Sequence, residues 1–190
     1  MSENQNATPS SPLDPGLVVL DHAAIQRAVR RISHEILERN PESEELAIIG
    51  IQTRGVELAR RIAELLEQIE GVRPAFGTLD ISMHRDDLRT RPKIITPKAT
   101  DLPLDLDQRV VVLVDDVVFT GRSCRAAMDA LSSYGRPKRI QYAALIDRGH
   151  RELPIHPDYV GKNLPTSRSE KVLVRFKTVD QIEDSVRLVK

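Results

Sequence analysis

The sequence predicts an α/β fold, a central and mostly parallel sheet flanked by helices, and three observations carry that expectation. Leu46–Ile51 (LAIIGI) and Val110–Val114 (VVVLV) are short, unbroken apolar runs rich in β-branched residues, the pattern of strands buried on both faces. Each is followed closely by a small-polar turn containing glycine, Thr53-Arg54-Gly55 after the first and Thr120-Gly121-Arg122-Ser123 after the second. Each turn opens a helical pattern: Leu58, Ala59, Ile62, Ala63, Leu66 and Ile69, closed by Gly71, and then Ala126, Ala127, Ala130 and Leu131. Strand, turn and helix repeated in this way place both turns at the carboxyl ends of parallel strands, where open α/β sheets bind ligands.

Taken in order, residues 1–15 (MSENQNATPSSPLDP) are polar, rich in Pro, Ser and Asn and without period, which predicts a disordered tail ahead of a single domain over 16–190. Leu17–Leu20 reads as a strand entering the domain. Asp21 can cap a helix whose apolar face is Ile25, Ala28, Val29, Ile32 and Ile36 and which ends near Asn40-Pro41. The other side of that helix carries Arg27, Arg30, Arg31, His34 and Arg39. Leu79, Ile81 and Met83 alternate with Asp80 and Ser82, the pattern of a half-buried strand. His84 to Arg109 is charged, Pro-punctuated and aperiodic, and its length predicts a flexible loop or active-site lid over about 84–109. Ile140–Ile146 is a further buried strand, ending in Asp147-Arg148-Gly149-His150-Arg151. Glu152 to Ser169 reads as a small irregular subdomain over the sheet, and Lys171–Lys177 and Val186–Lys190 as an antiparallel pair.

At 190 residues the chain has room for one substantial core. Lysine plus arginine equals aspartate plus glutamate at 28 each, so the net charge does not indicate a globally basic nucleic-acid binder, although a local basic face remains open. The single Cys124 excludes an intramolecular disulfide and suits a reducing compartment. No run reaches the roughly 18 apolar residues of a membrane span, and no basic-then-apolar leader opens the chain. A cytoplasmic protein is the expectation.

Between the strand Val110–Val114 and its turn stand two acids, Asp115 and Asp116. Free N–H groups at a helix N-terminus hold phosphate, and carboxylates accept sugar hydroxyls, so the stretch describes a site for a phosphorylated sugar. A plainer reading makes the aspartates caps and Gly121 a simple turn. Cys124 sits where a nucleophile would be conspicuous, but a phosphate-binding helix start needs N–H donors rather than a thiolate.

VVVLVDDVVFTGRS closely resembles the phosphoribosyl pyrophosphate (PRPP) signature of the type I phosphoribosyltransferases. The likeness extends through GIQTRGVELARRIAELLEQIEG, DISMHRDDL, GRPKRIQYAALIDRGHRELPI and DYVGKNLPTSRSEKVLV, about residues 17 to 180. Those segments resemble the PyrR family, regulators of the pyrimidine operon that are also uracil phosphoribosyltransferases. The resemblance implies a parallel sheet of about five strands with a small hood from the terminal segments, and the reaction uracil plus PRPP to UMP plus pyrophosphate. It implies that Thr120, Gly121, Arg122 and Ser123, with Val117, bind the 5′-phosphate end, Ser123 standing where the family commonly has Thr. Asp115 and Asp116 would accept the ribose hydroxyls and touch Mg²⁺ through water, the metal being held mainly by the substrate. Thr53, Arg54 and Gly55 would form the pyrophosphate loop, which in this fold often carries a non-proline cis peptide. Arg85 would neutralise pyrophosphate from the lid; His84 replaces a common Tyr there. Uracil would sit at Ile146, Asp147 and Arg148.

The same resemblance implies uridine-nucleotide-dependent binding of a hairpin in pyr leader mRNA, with UMP or UTP as effector. Arg30, Arg31 and His34 on the first helix, with Arg148, His150, Arg151 and Lys162, would supply the basic contacts, in a homodimer or higher homo-oligomer. Position 30 is commonly Thr in RNA-binding relatives and is Arg here. Two alternatives use the same residues: a uracil phosphoribosyltransferase without RNA attenuation, and a non-catalytic nucleotide-sensing RNA binder.

Overall fold

The computed structural model describes residues 16–86, 97–103 and 105–190. The tail expected over 1–15 and the middle of the expected lid, 87–96 with residue 104, lie outside the described residues. The chain runs β1 (Leu17–Leu20), α1 (His22–Arg39), β2 (Leu46–Ile51), α2 (Arg54–Glu70), β3 (Ala75–Leu79), β4 (Val110–Val118), α3 (Arg122–Leu131), β5 (Arg139–Asp147), β6 (Tyr159–Asn163), β7 (Lys171–Arg175), α4 (Lys177–Asp180) and β8 (Ser185–Val189).

The main sheet has five parallel strands in the order β3-β2-β4-β5-β6. One face packs Ile48, Val112, Val114 and Leu145 against Ile25, Ile32 and Ile36 of α1 and Leu58, Ile62 and Leu66 of α2. The other packs Val111, Leu113 and Tyr142 against Ala126, Ala127 and Leu131 of α3. Burial on both faces is why β2 and the first part of β4 are continuously apolar rather than alternating. From β2 the chain steps outward to β3 and then crosses back to β4 on the other side of β2. That reversal makes the gap between β2 and β4 a topological switch point, where the loops leaving the two strands diverge and open a crevice.

Helix boundaries follow local chemistry. Asp21 caps α1, its carboxylate accepting from the Ala24 amide at 2.7 Å. Gly71 ends α2 in the left-handed region, its N–H donating to the Glu67 carbonyl. A hood of three antiparallel strands, β1-β8-β7, joins the first and last described segments.

Two expectations are corrected. The strand expected over Leu79–Met83 lies four residues earlier in the chain, because the Asp80 carboxylate accepts from the Ser82 amide at 2.9 Å and its hydroxyl at 2.6 Å, turning the backbone into a short 3-10 segment, Ser82–His84. Ile81 is buried there while Met83 is exposed. The stretch after Glu152 is not wholly irregular: β6 pairs with β5 as the last strand of the main sheet. An edge strand with only Tyr159 and Val160 apolar gives little periodic signal.

Candidate active site

β4 delivers the acids and the first phosphate loop. Gly121 has φ +92°, a conformation that side chains rarely adopt, and it lets the chain turn from Thr120 directly into α3. A Cβ there would also meet Ile155 at 3.3 Å. The N-cap Gly121 has no side chain to offer α3, and the Arg122 amide meets only the Thr120 hydroxyl at a long 3.4 Å, beside a cleft of about 210 Å³ lined by Arg85, Val117, Thr120, Gly121, Arg122 and Ser123 among others. The Arg122 guanidinium turns away to Asp86 and Glu152. Its share in an anion site is therefore its backbone. The loop is held from behind, the amides of Glu152 and Leu153 both donating to the Thr120 carbonyl at 3.0 and 3.1 Å. Arg85 reaches this loop, its Nη1 donating to Ser123 Oγ at 3.3 Å.

Strand alternation slips by one residue at the acidic pair. Val114 and Val117 both pack on the α1/α2 side, whereas Leu113 and Val118 pack on the α3 side. The carboxylates of Asp115 and Asp116 consequently come together at the strand end. Asp115 is buried, accepting from the Asp116 amide at 3.0 Å and from the Tyr142 hydroxyl at 3.3 Å. Burial, and then the neighbouring charge of Asp116, push the Asp115 carboxyl well above the usual carboxylate range. Burial also raises Asp116, against the opposing pull of its bond to Asp115 and the charge of Arg54. Burial, with the Asp115 charge second, pushes the Cys124 thiol up to about 12, so it is not poised as a nucleophile.

The second loop follows β2. The Gln52–Thr53 peptide is cis, and α2 begins at Arg54 with no side-chain cap. Gly55 lies so close to β4 that a Cβ would come 2.4 Å from the Val114 carbonyl oxygen and 3.2 Å from the Asp115 Cα. This contact brings the start of α2 against the acidic pair, and only glycine allows it. Arg54 grips Asp180 at the end of α4, Nε to Oδ2 at 3.2 Å and Nη2 to Oδ1 at 2.5 Å, while its charge still reaches Asp116. Lys98 also approaches, its Nζ donating to Thr53 Oγ1 at 2.7 Å.

The structure brings Asp115, Asp116, Thr53–Gly55, Arg85 and Thr120–Ser123 around one crevice. It distributes the residues expected for uracil and RNA differently. Ile146 is fully buried in the core. Asp147 accepts from the Gly149 amide and pairs with Arg151 at 2.6 Å. Arg148 is buried, its guanidinium 4.1 Å from the centre of the Phe119 ring and donating to Thr166 Oγ1 and the carbonyls of Ser167 and Glu170. Arg151 donates to the carbonyls of Phe119 and Ile155, and His150 Nε2 contacts the Thr166 carbonyl at 2.5 Å. These three bases brace the loop after β5 against its surroundings. By contrast Arg30, Arg31, His34 and Lys162 are exposed, and Arg31 reaches the carbonyls of Val160 and Gly161 beside Lys162. Sequence reasoning missed Tyr142, Lys98 and Asp180. Their roles come from partners 27, 45 and 126 residues away in the chain, and no local pattern marks them.

The family model of the phosphoribosyl transferase domain matches residues 18–178. A bifunctional protein PyrR from Roseiflexus sp. (strain RS-1) is 55% identical over 172 residues, covering 90% of this chain and 94% of that protein. The bifunctional protein PyrR of Bacillus subtilis (strain 168) is 53% identical over 166 residues, covering 86% and 92%. Among solved structures, a hypoxanthine phosphoribosyltransferase from Staphylococcus aureus shares the fold at TM-score 0.68 and 17% identity, covering 92% of each chain. The crevice between β2 and β4, with its two uncapped helix starts and its acidic pair, thus lies within a domain matched over nearly its whole length: the chain belongs to the phosphoribosyl transferase family and, within it, to the PyrR proteins.

Proposed function

We propose that this chain transfers the ribose 5-phosphate of PRPP to uracil, yielding UMP and pyrophosphate, and that uridine nucleotides in the same crevice govern its binding to a pyr leader RNA hairpin. One observation carries the first part. Two uncapped helix N-termini, at Thr53–Gly55 and Thr120–Ser123, stand at the ends of adjacent parallel strands with Asp115 and Asp116 between them. That spacing of donors, acceptors and donors suits a substrate with a phosphate at each end of a ribose.

In this reading the α3 amides hold the 5′-phosphate and the acids take the ribose hydroxyls. The bond from the anomeric carbon to the pyrophosphate oxygen breaks, its electron pair leaving with pyrophosphate, as uracil N1 bonds to that carbon and gives up its proton to water. The transition state is oxocarbenium-like, and a nearby carboxylate stabilises its developing positive charge. Among the described residues no group of three or more His, Cys, Asp or Glu side chains is arranged to hold a metal. Asp115 and Asp116 are the residues that would help hold Mg²⁺ beside the substrate, and the ion would supply positive charge to offset that of the leaving group. Uracil would lie beside the loop at Ile146–Arg148 and be read by backbone groups, since those side chains are committed elsewhere. The exposed set Arg30, Arg31, His34 and Lys162 is the proposed RNA contact, doubled in a homodimer; Arg148, His150 and Arg151 would shape that surface from within.

The test offers the purified protein PRPP, Mg²⁺ and equal amounts of uracil, hypoxanthine and orotate. UMP should be the product, and IMP or orotidine monophosphate as the main product would contradict the assignment. For RNA, a gel shift with the leader of the organism's own pyr operon should appear when UMP is present and weaken in His34→Ala and Lys162→Ala. No shift at all would leave only the enzyme, and a shift indifferent to UMP and to both variants would contradict the nucleotide control and the proposed contact.

A further inference from the structure

The pyrophosphate loop has a cation that the sequence does not advertise. Arg54, the arginine within the loop, is held bidentately by Asp180, so its guanidinium donors are already engaged. Asp180 is further fixed by the Phe176 amide at 3.0 Å and Arg175 at 3.3 Å. Lys98 is different. Its Nζ makes one hydrogen bond among the described residues, 2.7 Å to Thr53 Oγ1, which leaves further ammonium hydrogens available. Thr53 is the residue that would cap α2, yet its hydroxyl does not, and the first-turn amides stay open beside it.

Lys98 is also built into position. Its own amide donates to Asp80 Oδ2 at 2.6 Å, while the other oxygen of that carboxylate takes the Ser82 amide and hydroxyl. Three residues on, Asp101 exchanges backbone hydrogen bonds with Thr78 at the end of β3. Asp80 therefore ties the chain just before Arg85 to the chain at Lys98. The two cations stand at different loops: Arg85 at the Ser123 hydroxyl and Lys98 at the Thr53 hydroxyl.

We infer that Lys98, set in place by Asp80, is the side chain that binds the pyrophosphate end of the substrate at the Thr53–Gly55 loop. The inference rests on the PRPP reading above and names a residue of that site. It makes Lys98 a substrate-binding residue and Asp80 a positioning one.

The experiment compares the native protein, Lys98→Met and Lys98→Arg by calorimetric titration with magnesium pyrophosphate and with UMP, and by KM for PRPP. Losing one charge-assisted contact should weaken pyrophosphate binding and raise the PRPP KM by about tenfold or more in Lys98→Met, with UMP affinity within about twofold and Lys98→Arg recovering most of the loss. Pyrophosphate binding within about twofold of native in Lys98→Met would overturn the inference, and so would an equal loss of pyrophosphate and UMP affinity, which marks a merely structural lysine. Because pyrophosphate binding is read without turnover, absence of uracil transfer in the native protein would defeat the proposed reaction while leaving Lys98 separately judged.

Discussion

Asp115 shows how one residue can serve a site at the expense of its own fold. Its carboxyl is buried beside Asp116, and both causes lift its proton affinity. A carboxyl whose folded value lies above its unfolded one favours folding most below the ordinary aspartate range, near pH 4, and that contribution is lost as pH rises through the raised value. Replacing it with asparagine removes the charge while keeping a group that can accept from Tyr142 or from the Asp116 amide. We predict that Asp115→Asn melts about 3 °C higher than native at neutral pH, with the difference shrinking towards pH 4, while kcat/KM for uracil falls about a hundredfold or more. A lower melting temperature with activity retained would show that Asp115 is a structural acid. This residue was legible in the sequence as half of an acidic pair after a buried strand. Its burial and its bond to Tyr142 were not, because they depend on β5 lying beside β4.

At the level of elements, the hood is docked on α2 by two arginines. Arg54 takes Asp180, and Arg61 takes Asp184 while lying 4.7 Å from the centre of the Phe176 ring. Burial alone would raise the Asp184 carboxyl, but its bonds to Arg61 and the Lys177 amide outweigh that and hold it below the usual range. Asp180 is held low in the same way, burial being outweighed by Arg54 and the Phe176 amide. For a lowered carboxylate the sign runs opposite to Asp115: the stabilisation is present above about pH 4 and is lost as pH falls through the folded value. Asp184→Asn should therefore cost about 3 kcal/mol in denaturant unfolding at neutral pH and flatten the loss of stability as pH falls below about 4. An unchanged acid profile would remove Asp184 from the docking contact. Such a hinge between segments far apart in the chain has no local signature. The elements themselves had one: Asp21, Gly71 and the apolar stripes of α1 and α2 marked both helices closely. β6 escaped because an edge strand needs few apolar residues, and β3 was displaced because Asp80 captures the backbone of Ser82.

Across the whole molecule, function follows from strand order. β2 and β4 are separated in the chain by an outward excursion to β3, yet they pair directly, and each ends in an uncapped helix start. The two turn motifs are legible in the sequence as the two phosphate sites of one extended substrate; the direct pairing of β2 with β4 that sets them side by side belongs to the topology. Gly55, pressed on the Val114 carbonyl, closes the distance between them. The account's central claim is that both loops grip opposite ends of one substrate. Amide-detected nuclear magnetic resonance of the native protein, titrated with PRPP and separately with UMP, tests it most directly. PRPP should shift the amides of both Thr53–Gly55 and Thr120–Ser123, whereas UMP, which lacks pyrophosphate, should shift Thr120–Ser123 and leave Thr53–Gly55 largely in place. If saturating PRPP leaves the Thr53–Gly55 amides unmoved, the two loops do not share a substrate and the claim is wrong.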